Sequence, residues 1–485
     1  MRLANASLDR LPTQVRRPNY DRASILPGIV HLGIGAFHRA HQAVAIDDLL
    51  ARGATDWGIV GASLRSSDTS DALLPQDGLY TLAVRSGAGT EYRIIGSVLD
   101  VVVARADPAR LADPATRIVS LTITEKGYCH TPQTGELDER HPDIVHDLQH
   151  PDAPRSAPGF IVAALSRRLA SSTTPFAVLS CDNLSANGHT AKRIVTQFAA
   201  LQSRELAQWI ENEVAFPSTM VDRIVPETTE ADRAAVASAL GMTDAWPVVT
   251  EPFTQWIVED RFPTGRPDLA GAGVQLVSDV TPFEHMKLRL LNASHSALAY
   301  LGYLAGYGTI AAAMADDHFV SFARQVMDDA APTLTMPAGT DLAAYSASLL
   351  QRFSNPALHH RTWQIAMDGS QKLPQRLLGA MQDRLRMGLP IDTHALAVAG
   401  WMRYVTGTDE DGRAIDVRDP IAAKLKAIAD SSGPLADRLA PALLEVGSIF
   451  GALGSDPRMR YAVTRALAKL YQDGARQVVA SFRAE

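Results

Sequence analysis

The stretch Ile29-Val-His-Leu-Gly33-Ile-Gly35-Ala-Phe-His38 predicts a β-strand, a glycine turn and the start of a helix. Gly33 permits a tight turn, and Gly35 lets the backbone approach a pyrophosphate, which then lies against a helix N-terminus. His38 stands where the usual fingerprint has its third glycine, so the motif is incomplete. The alternative is an ordinary strand-to-helix turn that needs small residues. The candidate cofactor-binding residues are Gly33, Ile34, Gly35, Ala36 and Phe37.

The chain around this turn alternates short apolar runs with segments of helical spacing. A helix is predicted over 37–52, directly after the turn. Alternation of strands with helices predicts a mostly parallel sheet that is covered by helices on both faces. The predicted strands are 29–33, 57–62, 92–95, 101–104, 117–124 and 176–181.

The pattern changes near residue 280, after which the apolar spacing is helical and Pro-Gly pairs separate the segments. The fold class is therefore α/β: a doubly wound sheet domain over 1–279, followed by a mostly α-helical domain over 280–485. The predicted helices of the second domain are 284–306, 308–330, 341–353, 373–387, 393–406, 419–430, 434–451 and 457–482.

The composition excludes several classes of protein. A net charge of −7 without a long basic run argues against nucleic-acid or anionic-membrane partners. No apolar run is long enough to span a membrane, and the first residues do not resemble a signal peptide. The two cysteines, Cys129 and Cys181, cannot form a disulfide framework or a cysteine-based zinc site. We therefore expect a cytoplasmic, reduced setting and no metal.

The segment Lys287-Leu-Arg-Leu-Leu-Asn292-Ala-Ser-His295 brings an amine, an amide and an imidazole together on an apolar helical stretch. Residues three and four apart share a helix face, and we expect all three side chains to reach one pocket. Such a set can hold and deprotonate an alcohol without a metal. The alternative is a packed helix with a snorkelling lysine and a satisfied histidine.

Polar side chains follow several of the predicted strands. Thr124-Glu125-Lys126 and Ser180-Cys-Asp-Asn183 come at the carboxyl ends of two of them, where ligands bind in open parallel sheets. Turn formation is the alternative explanation for these clusters.

The residues after the second strand bear on the choice of cofactor. Asp68 favours NAD by binding the ribose hydroxyls, whereas Arg65 suits the 2′-phosphate of NADP. We expect NAD, with NADP left open.

Four motifs occur in one order: Gly33-Ile-Gly-Ala-Phe-His-Arg-Ala-His-Gln42, Ser180-Cys-Asp-Asn183, Thr219-Met-Val-Asp-Arg-Ile-Val-Pro226 and Lys287-x4-Asn292-x2-His295. With them the chain resembles the polyol-specific long-chain dehydrogenase/reductase family over essentially its whole length. The resemblance implies a metal-free, NAD(P)-dependent secondary-alcohol dehydrogenase, with a Rossmann domain, a helical second domain and a monomeric state.

Further segments resemble the fructuronate reductase (D-mannonate oxidoreductase) branch of that family, namely 124–129, 361–376 and 401–404. Mannitol dehydrogenases tend to have glycine at the position of Lys126 and arginine at that of Gln364. The resemblance therefore implies a sugar-acid substrate. Neutral polyols, as in mannitol or arabinitol dehydrogenases, remain the leading alternative. A decarboxylating enzyme like 6-phosphogluconate dehydrogenase and a non-catalytic nucleotide sensor are the others.

The resemblance also implies roles for individual residues. Lys287 is the general acid/base, which requires an amine with a pKa well below its ordinary value. Asn183 and Asn292 donate hydrogen bonds to the developing alkoxide, as an oxyanion hole does. His295 binds a substrate hydroxyl and orients Lys287, and Glu125 relays protons. Candidate contacts for the substrate carboxylate are Lys372 first, then Arg361, Lys126 and Arg376. A solvated helix face is the alternative for Arg361 and Arg376.

Overall fold

The computed structural model describes residues 1–64, 66–104, 109–131, 134–358 and 360–482. It divides into two compact units, Met1–Thr281 and Pro282–Glu485. Arg65, to which the sequence assigns a part in choosing between NAD and NADP, lies outside the described residues. Within the described part of the chain, no helix combines the length and apolar character needed to cross a membrane.

The first unit is built around a five-stranded parallel sheet with the order β5-β2-β1-β6-β7. The chain moves outward from β1 in one direction and then returns to its other side, so the strand order reverses between β1 and β6. Ligands of doubly wound sheets bind at this reversal, beyond the carboxyl ends of the strands. The strands of the unit are β1 Pro27–Leu32, β2 Gly58–Ser63, β3 Tyr80–Ser86, β4 Gly89–Ile95, β5 Val98–Val103, β6 Ile118–Leu121, β7 Ala177–Ser180, β8 Thr219–Asp222, β9 Val248–Thr250, β10 Gln255–Glu259 and β11 Gln275–Val277.

The central strands are buried on both faces, as the apolar runs predict. Val30 and Leu32 of β1 pack into one hydrophobic cluster, whereas Ile29 packs into the cluster on the opposite face. Two smaller sheets, β11-β10-β8 and β4-β3-β9, complete the unit. The helices of the unit are α1 Ala36–Ala40, α2 Gln42–Leu50, α3 Asp68–Leu73, α4 Pro142–Gln149, α5 Ala157–Ala170, α6 Asn187–Gln202, α7 Arg204–Glu213 and α8 Glu230–Leu240.

The predicted single helix over 37–52 is wrong. The chain forms α1 and α2 with a break at His41, whose φ and ψ are −126° and −86°. His41 Nε2 donates to the Gln255 carbonyl at 2.9 Å, and its ring stacks on Phe37 at 5.1 Å between centroids. The break therefore depends on a partner more than two hundred residues away, which helical periodicity does not contain.

The second unit is almost entirely helical, which confirms the predicted fold class. Its centre is α10, in which nearly every side chain is buried and which contacts α12, α14, α17 and α21. Two segments of this unit, 287–292 and 374–378, are π-helical. The helices are α9 Thr281–Met286, the π-helix Lys287–Asn292, α10 Ala293–Leu304, α11 Ile310–Ala313, α12 Asp317–Ala330, α13 Leu342–Phe353, α14 Thr362–Ala366, α15 Gly369–Leu373, the π-helix Pro374–Leu378, α16 Gly379–Arg386, α17 Asp392–Tyr404, α18 Ala422–Ser432, α19 Ala436–Leu444, α20 Gly447–Phe450 and α21 Pro457–Ser481.

Two further helix predictions are corrected by the structure. The segment 308–330 contains α11 and α12, because Asp316 leaves the helical conformation and its carboxylate caps α12 by accepting from the His318 N–H at 2.9 Å. The segment 434–451 contains α19 and α20, which are interrupted at Val446 (ψ 87°). Both interruptions keep the apolar spacing, so the spacing alone predicts one continuous helix.

Candidate active site

The glycine turn after β1 has the geometry that its sequence predicts. Gly33 has φ +88°, and a Cβ atom there would lie 2.2 Å from the Thr122 carbonyl oxygen. The Gly33 N–H donates to Ala62 at 2.9 Å, and Thr122 Oγ1 donates to the Gly33 carbonyl at 2.8 Å. Gly35 is exposed, and a Cβ there would meet only the Gly33 carbonyl, at 3.7 Å. A rigid turn with an open backbone at Gly35 fits a dinucleotide pyrophosphate.

His38 replaces the third glycine without filling the turn, because its ring points into the protein interior. It stacks on the ring of His31 with 3.4 Å between centroids and 13° between planes. The two nitrogens of His31 bond Ser120 Oγ and Thr122 Oγ1, each at 2.8 Å. Burial lowers the pKa of His31 to about 3 and the pKa of His38 well below its ordinary value. Both rings are therefore neutral and act as packing beneath the turn.

The remaining candidate cofactor residues differ in exposure. Ile34 is buried against Gly61, where a Cβ atom would lie 2.1 Å from the Ile34 side chain. Ala36 and Phe37 are half-buried in α1. Asp68 is exposed in the first turn of α3, in the segment that follows β2. An exposed carboxylate beyond this strand is where a ribose hydroxyl is bound in doubly wound folds.

Asp182 organises the carboxyl ends of β6 and β7. It is buried, and its carboxylate accepts from the Thr124 N–H and the Tyr128 hydroxyl, each at 2.8 Å. The predicted strand 117–124 accordingly ends at Leu121, and Thr124 adopts a φ of +64° in the loop that Asp182 holds. This carboxylate is a structural tie, in agreement with the turn interpretation of that cluster.

Three predicted site residues are exposed around this tie. Glu125 and Lys126 lie in the short 3₁₀-helix Glu125–Tyr128, and Asn183 follows β7 directly after Asp182. Glu125 Oε1 lies 3.8 Å from His130 Nε2. The first unit thus presents an amide, a carboxylate and an amine at the carboxyl edge of the sheet.

The segment that carries Lys287 and Asn292 is a π-helix and not the α-helix that the spacing predicts. Five residues of an α-helix turn by roughly 500°, which leaves the first and last about 140° apart around the axis. A π-helix bonds residue i to residue i+5, so that the same two residues stack on one side. The wider winding therefore brings Lys287 and Asn292 onto one face, whereas α-helical winding would separate them.

The three catalytic candidates of the second unit are all buried: Lys287 is 8%, Asn292 6% and His295 8% exposed. The His295 ring stacks with Phe353 and with His360, at centroid distances of 5.0 and 5.2 Å. Asn292 Nδ2 and His295 Nε2 have no hydrogen-bond partner within the described part of the chain. Buried polar atoms are usually hydrogen-bonded, so these two atoms are candidates for contact with a polar ligand.

The surroundings of His295 carry positive charge. Burial, followed by His360, Arg376, Arg352 and Lys372, holds the pKa of His295 well below its ordinary value, so its imidazole is neutral. Burial and then Arg376 lower the pKa of Lys372 to about 8. Lys372 Nζ donates to the carbonyls of Met367 (2.5 Å) and Ile365 (3.4 Å).

The two candidate arginines have different environments. Arg376, in the second π-helix, donates from Nη1 to Ser296 Oγ at 2.9 Å, and burial lowers its pKa to about 10. Arg361 is exposed immediately before α14. The interpretation as an arginine on a solvated helix face therefore describes Arg361 and is wrong for Arg376.

Two further residues near His295, Arg352 and His360, are not selected by the sequence analysis. Nothing in their local sequence distinguishes them from ordinary loop and helix residues.

The second unit alone thus places a buried lysine, an amide and a neutral imidazole on one short stretch, with further cations close to the imidazole. Such a set can bind a hydroxyl or carbonyl oxygen and exchange a proton with it. The first unit separately contains the glycine turn and the exposed Asn183, Glu125 and Lys126. Among the described residues, no group of three His, Cys, Asp or Glu side chains is arranged to hold a metal ion.

Comparison with known proteins gives consistent relationships along the whole chain. The mannitol dehydrogenase Rossmann domain family matches residues 27–271, and the mannitol dehydrogenase C-terminal domain family matches residues 279–471. D-mannonate oxidoreductase of Escherichia coli is 48% identical over 479 residues, 96% of this chain and 98% of that one. Mannitol 2-dehydrogenase of Neosartorya fischeri is 42% identical, covering 95% and 94%. The ternary complex of Pseudomonas fluorescens mannitol 2-dehydrogenase with NAD and D-mannitol superposes with a TM-score of 0.88 at 41% identity, covering 99% of each chain.

Proposed function

The chain belongs to the mannitol dehydrogenase family, and from that premise we propose that it is an NAD-dependent oxidoreductase that interconverts D-fructuronate and D-mannonate. The relative that is 48% identical is a D-mannonate oxidoreductase, which supports the substrate. The observation that carries the sugar-acid choice is the group of cations around His295, since a carboxylate needs opposite charge and a neutral polyol does not.

Proton transfer is assigned to Lys287. Its side chain is buried on the stretch that also carries Asn292 and His295, where bulk water has little access to the amine. In reduction the ammonium form gives a proton to the oxygen of the reacting carbonyl, and in oxidation the neutral amine removes that proton. The nicotinamide, when bound, supplies or accepts the hydride.

The other polar groups hold the reacting oxygen and its neighbours. Asn292 Nδ2 is buried and unsatisfied within the described residues, so it is placed to donate to the developing alkoxide. The neutral His295 ring is fixed by stacking and binds a substrate hydroxyl. The family resemblance supplies the roles of Asn183 as a second amide donor and of Glu125 as a proton relay.

The cofactor is assigned to the glycine turn of the first unit. The open backbone at Gly35 suits the pyrophosphate, and Asp68 suits the adenosine ribose hydroxyls. A carboxylate at that position repels a 2′-phosphate, and NAD is therefore proposed over NADP.

The substrate is tested by comparing two ketones as oxidants of NADH. We expect kcat/KM for D-fructuronate to exceed that for D-fructose by about 10- to 100-fold, because a charged hydrogen bond contributes roughly 1.5–3 kcal/mol. The measurement is the initial rate of NADH consumption over a range of each ketone, with D-mannonate and D-mannitol and NAD in the reverse direction. Faster turnover of fructose would reject the sugar-acid assignment.

A neutral polyol is the second candidate, and the likeness to a mannitol 2-dehydrogenase solved with NAD and D-mannitol favours it. The exposed Gln364 stands where mannitol dehydrogenases tend to have arginine, and this difference weighs against the candidate. A preference for fructose and mannitol in the same panel of substrates would establish it.

The pKa of Lys372 predicts how binding of a sugar acid depends on pH. Lys372 is charged below pH 8 and neutral above it, because burial and Arg376 lower its pKa more than Asp368 and Asp419 raise it. We expect KM for fructuronate to rise as the pH passes from 7 to 9, whereas KM for fructose stays nearly constant. In Lys372→Met, KM for fructuronate is expected to be raised by about tenfold at pH 7, as for loss of one charged contact.

The control for this experiment is the shape of the profile in the variant. Lys372→Met is expected to lose the rise in KM that the wild type shows above pH 8. A wild-type KM for fructuronate that is flat from pH 6.5 to 9 contradicts a charged Lys372 in binding.

A further inference from the structure

The backbone that leads to Asn183, at the end of β7, is fixed by side chains from other parts of the first unit. The carbonyl of Asp182 belongs to the peptide that joins Asp182 to Asn183, and it accepts a hydrogen bond from Asn187 Nδ2 at 2.9 Å. Two residues earlier, the Ser180 carbonyl accepts from Thr219 Oγ1 at 2.7 Å. The peptide directly before Asn183 therefore depends on Asn187 for one of its hydrogen bonds.

Asn187 is the first residue of α6, and its side chain is buried. Its amide bonds both backbone groups of Thr219: Nδ2 donates to the Thr219 carbonyl at 2.8 Å, and Oδ1 accepts from the Thr219 N–H at 2.9 Å. Because an N–H can only donate and a carbonyl can only accept, these two bonds fix the orientation of the amide. The second hydrogen of Nδ2 is then directed to the Asp182 carbonyl.

The three hydrogen bonds of Asn187 join strands of two different sheets. β7 belongs to the five-stranded sheet, whereas β8, which begins at Thr219, belongs to the sheet β11-β10-β8. The chain enters α6 through Ala186, whose φ is +46°. A residue with a side chain adopts this left-handed conformation at an energetic cost, so contacts must hold the loop between β7 and α6 in place. The bonds of Asn187 are such contacts.

We infer that Asn187 is a positioning residue for the reaction, which fixes the peptide before Asn183 and thereby the direction of the Asn183 amide. This assignment rests on the proposed function, in which Asn183 donates to the developing alkoxide. The amide of Asn187 is occupied by Asp182 and Thr219, so it acts through Asn183 and not on the substrate. Fixed donors stabilise a developing charge better than mobile ones, because they need no rearrangement during the reaction.

The test is a double-mutant cycle with Asn183, in which kcat is expressed per NADH-binding site so that unfolded protein is not counted. The substrate is the ketone that the wild type prefers. In Asn187→Ala we expect kcat to fall about tenfold, because a small displacement of a catalytic group is costly. In an Asn183→Ala background we expect the same substitution to change kcat by less than about twofold, because the donor that Asn187 positions is already absent. A purely structural Asn187 lowers kcat by the same factor in both backgrounds.

Gln76→Ala is the matched control, because Gln76 is a buried amide of the same unit that also connects separate backbone segments. Its Nε2 donates to the Leu79 carbonyl at 2.9 Å, and its Oε1 accepts from the Ala245 N–H at 2.6 Å. We expect Gln76→Ala to lower the unfolding temperature, as Asn187→Ala does. We expect its kcat per NADH-binding site to equal that of the wild type.

The outcomes separate the inference from the proposed function. An unchanged kcat in Asn187→Ala, or an equal fall in the two backgrounds, overturns the inference and leaves the proposed function intact. Normal turnover of Asn183→Ala alone refutes the role of Asn183 in the proposed function, and the inference with it. If Asn187→Ala does not fold, Asn187→Ser, which keeps a small polar side chain at the start of α6, takes its place in the cycle and decides.

Discussion

Replacing Lys287 by alanine is expected to lower kcat by about 10²- to 10⁴-fold, the usual contribution of a general acid or base. The physical reason is that Lys287 is buried on the π-helix face that it shares with Asn292, so water cannot readily take its place. NADH binding is expected to survive, since the glycine turn belongs to the first unit. Steady-state NADH consumption measures the first effect and NADH fluorescence titration the second.

Arg289 offers a control from the same π-helix. Its side chain pairs with Asp383 at 2.8 Å and donates to the Thr333 carbonyl at 2.9 Å, so it has a structural role. Arg289→Gln is expected to unfold at a lower temperature but to keep most of its turnover. Near-normal turnover of Lys287→Ala would instead remove Lys287 from proton transfer, and Lys372, with a pKa of about 8, would become the group to test.

The second large effect is expected at Gly33. Gly33→Ala places a methyl group 2.2 Å from the Thr122 carbonyl oxygen and a side chain at φ +88°. A non-glycine residue in that conformation costs about 1–3 kcal/mol before the backbone clash is counted. We expect a clear drop in the urea midpoint of unfolding together with loss of NADH binding.

Gly35→Ala separates cofactor binding from stability. Its new methyl group would meet only the Gly33 carbonyl, at 3.7 Å, and φ is −88°, so the unfolding midpoint is expected to stay close to that of the wild type. NADH affinity is nevertheless expected to fall, because the methyl group stands where a pyrophosphate approaches the backbone. A Gly33→Ala protein as stable as the wild type, or a Gly35→Ala protein with unchanged NADH affinity, contradicts this account of the turn.

Much of the fold follows from local patterns. The apolar runs at 29–33, 57–62 and 176–181 correspond to β1, β2 and β7, and the helical spacing of 341–353 corresponds to α13. Each of these segments buries one face or both faces. The spacing of its apolar residues indicates how many faces are buried. The prediction for 37–52 was wrong because the bond from His41 to Gln255 interrupts the helix without altering that period.

Part of the candidate site could be predicted from the sequence, and part could not. Lys287, Asn292 and His295 are recognisable because their side-chain chemistry is unusual in an apolar segment. The sequence predicts their common face through α-helical spacing, whereas in the structure π-helical winding brings Lys287 and Asn292 together. The spacing of apolar residues cannot distinguish an α-helix from a π-helix here. Over a short segment, one additional residue per turn leaves the apolar pattern almost unchanged.

Chain order and residue type alone were sufficient for the doubly wound sheet, the glycine turn and the helical second half, and for selecting Lys287–His295 as the candidate catalytic segment, because each is a short-range pattern. Folding in three dimensions was needed to bring Arg352, His360 and Arg376 around His295. These residues come from separate helices and loops, and each is unremarkable in its own stretch of sequence. Their shared effect is electrostatic and depends on distances in space, which a linear sequence does not record.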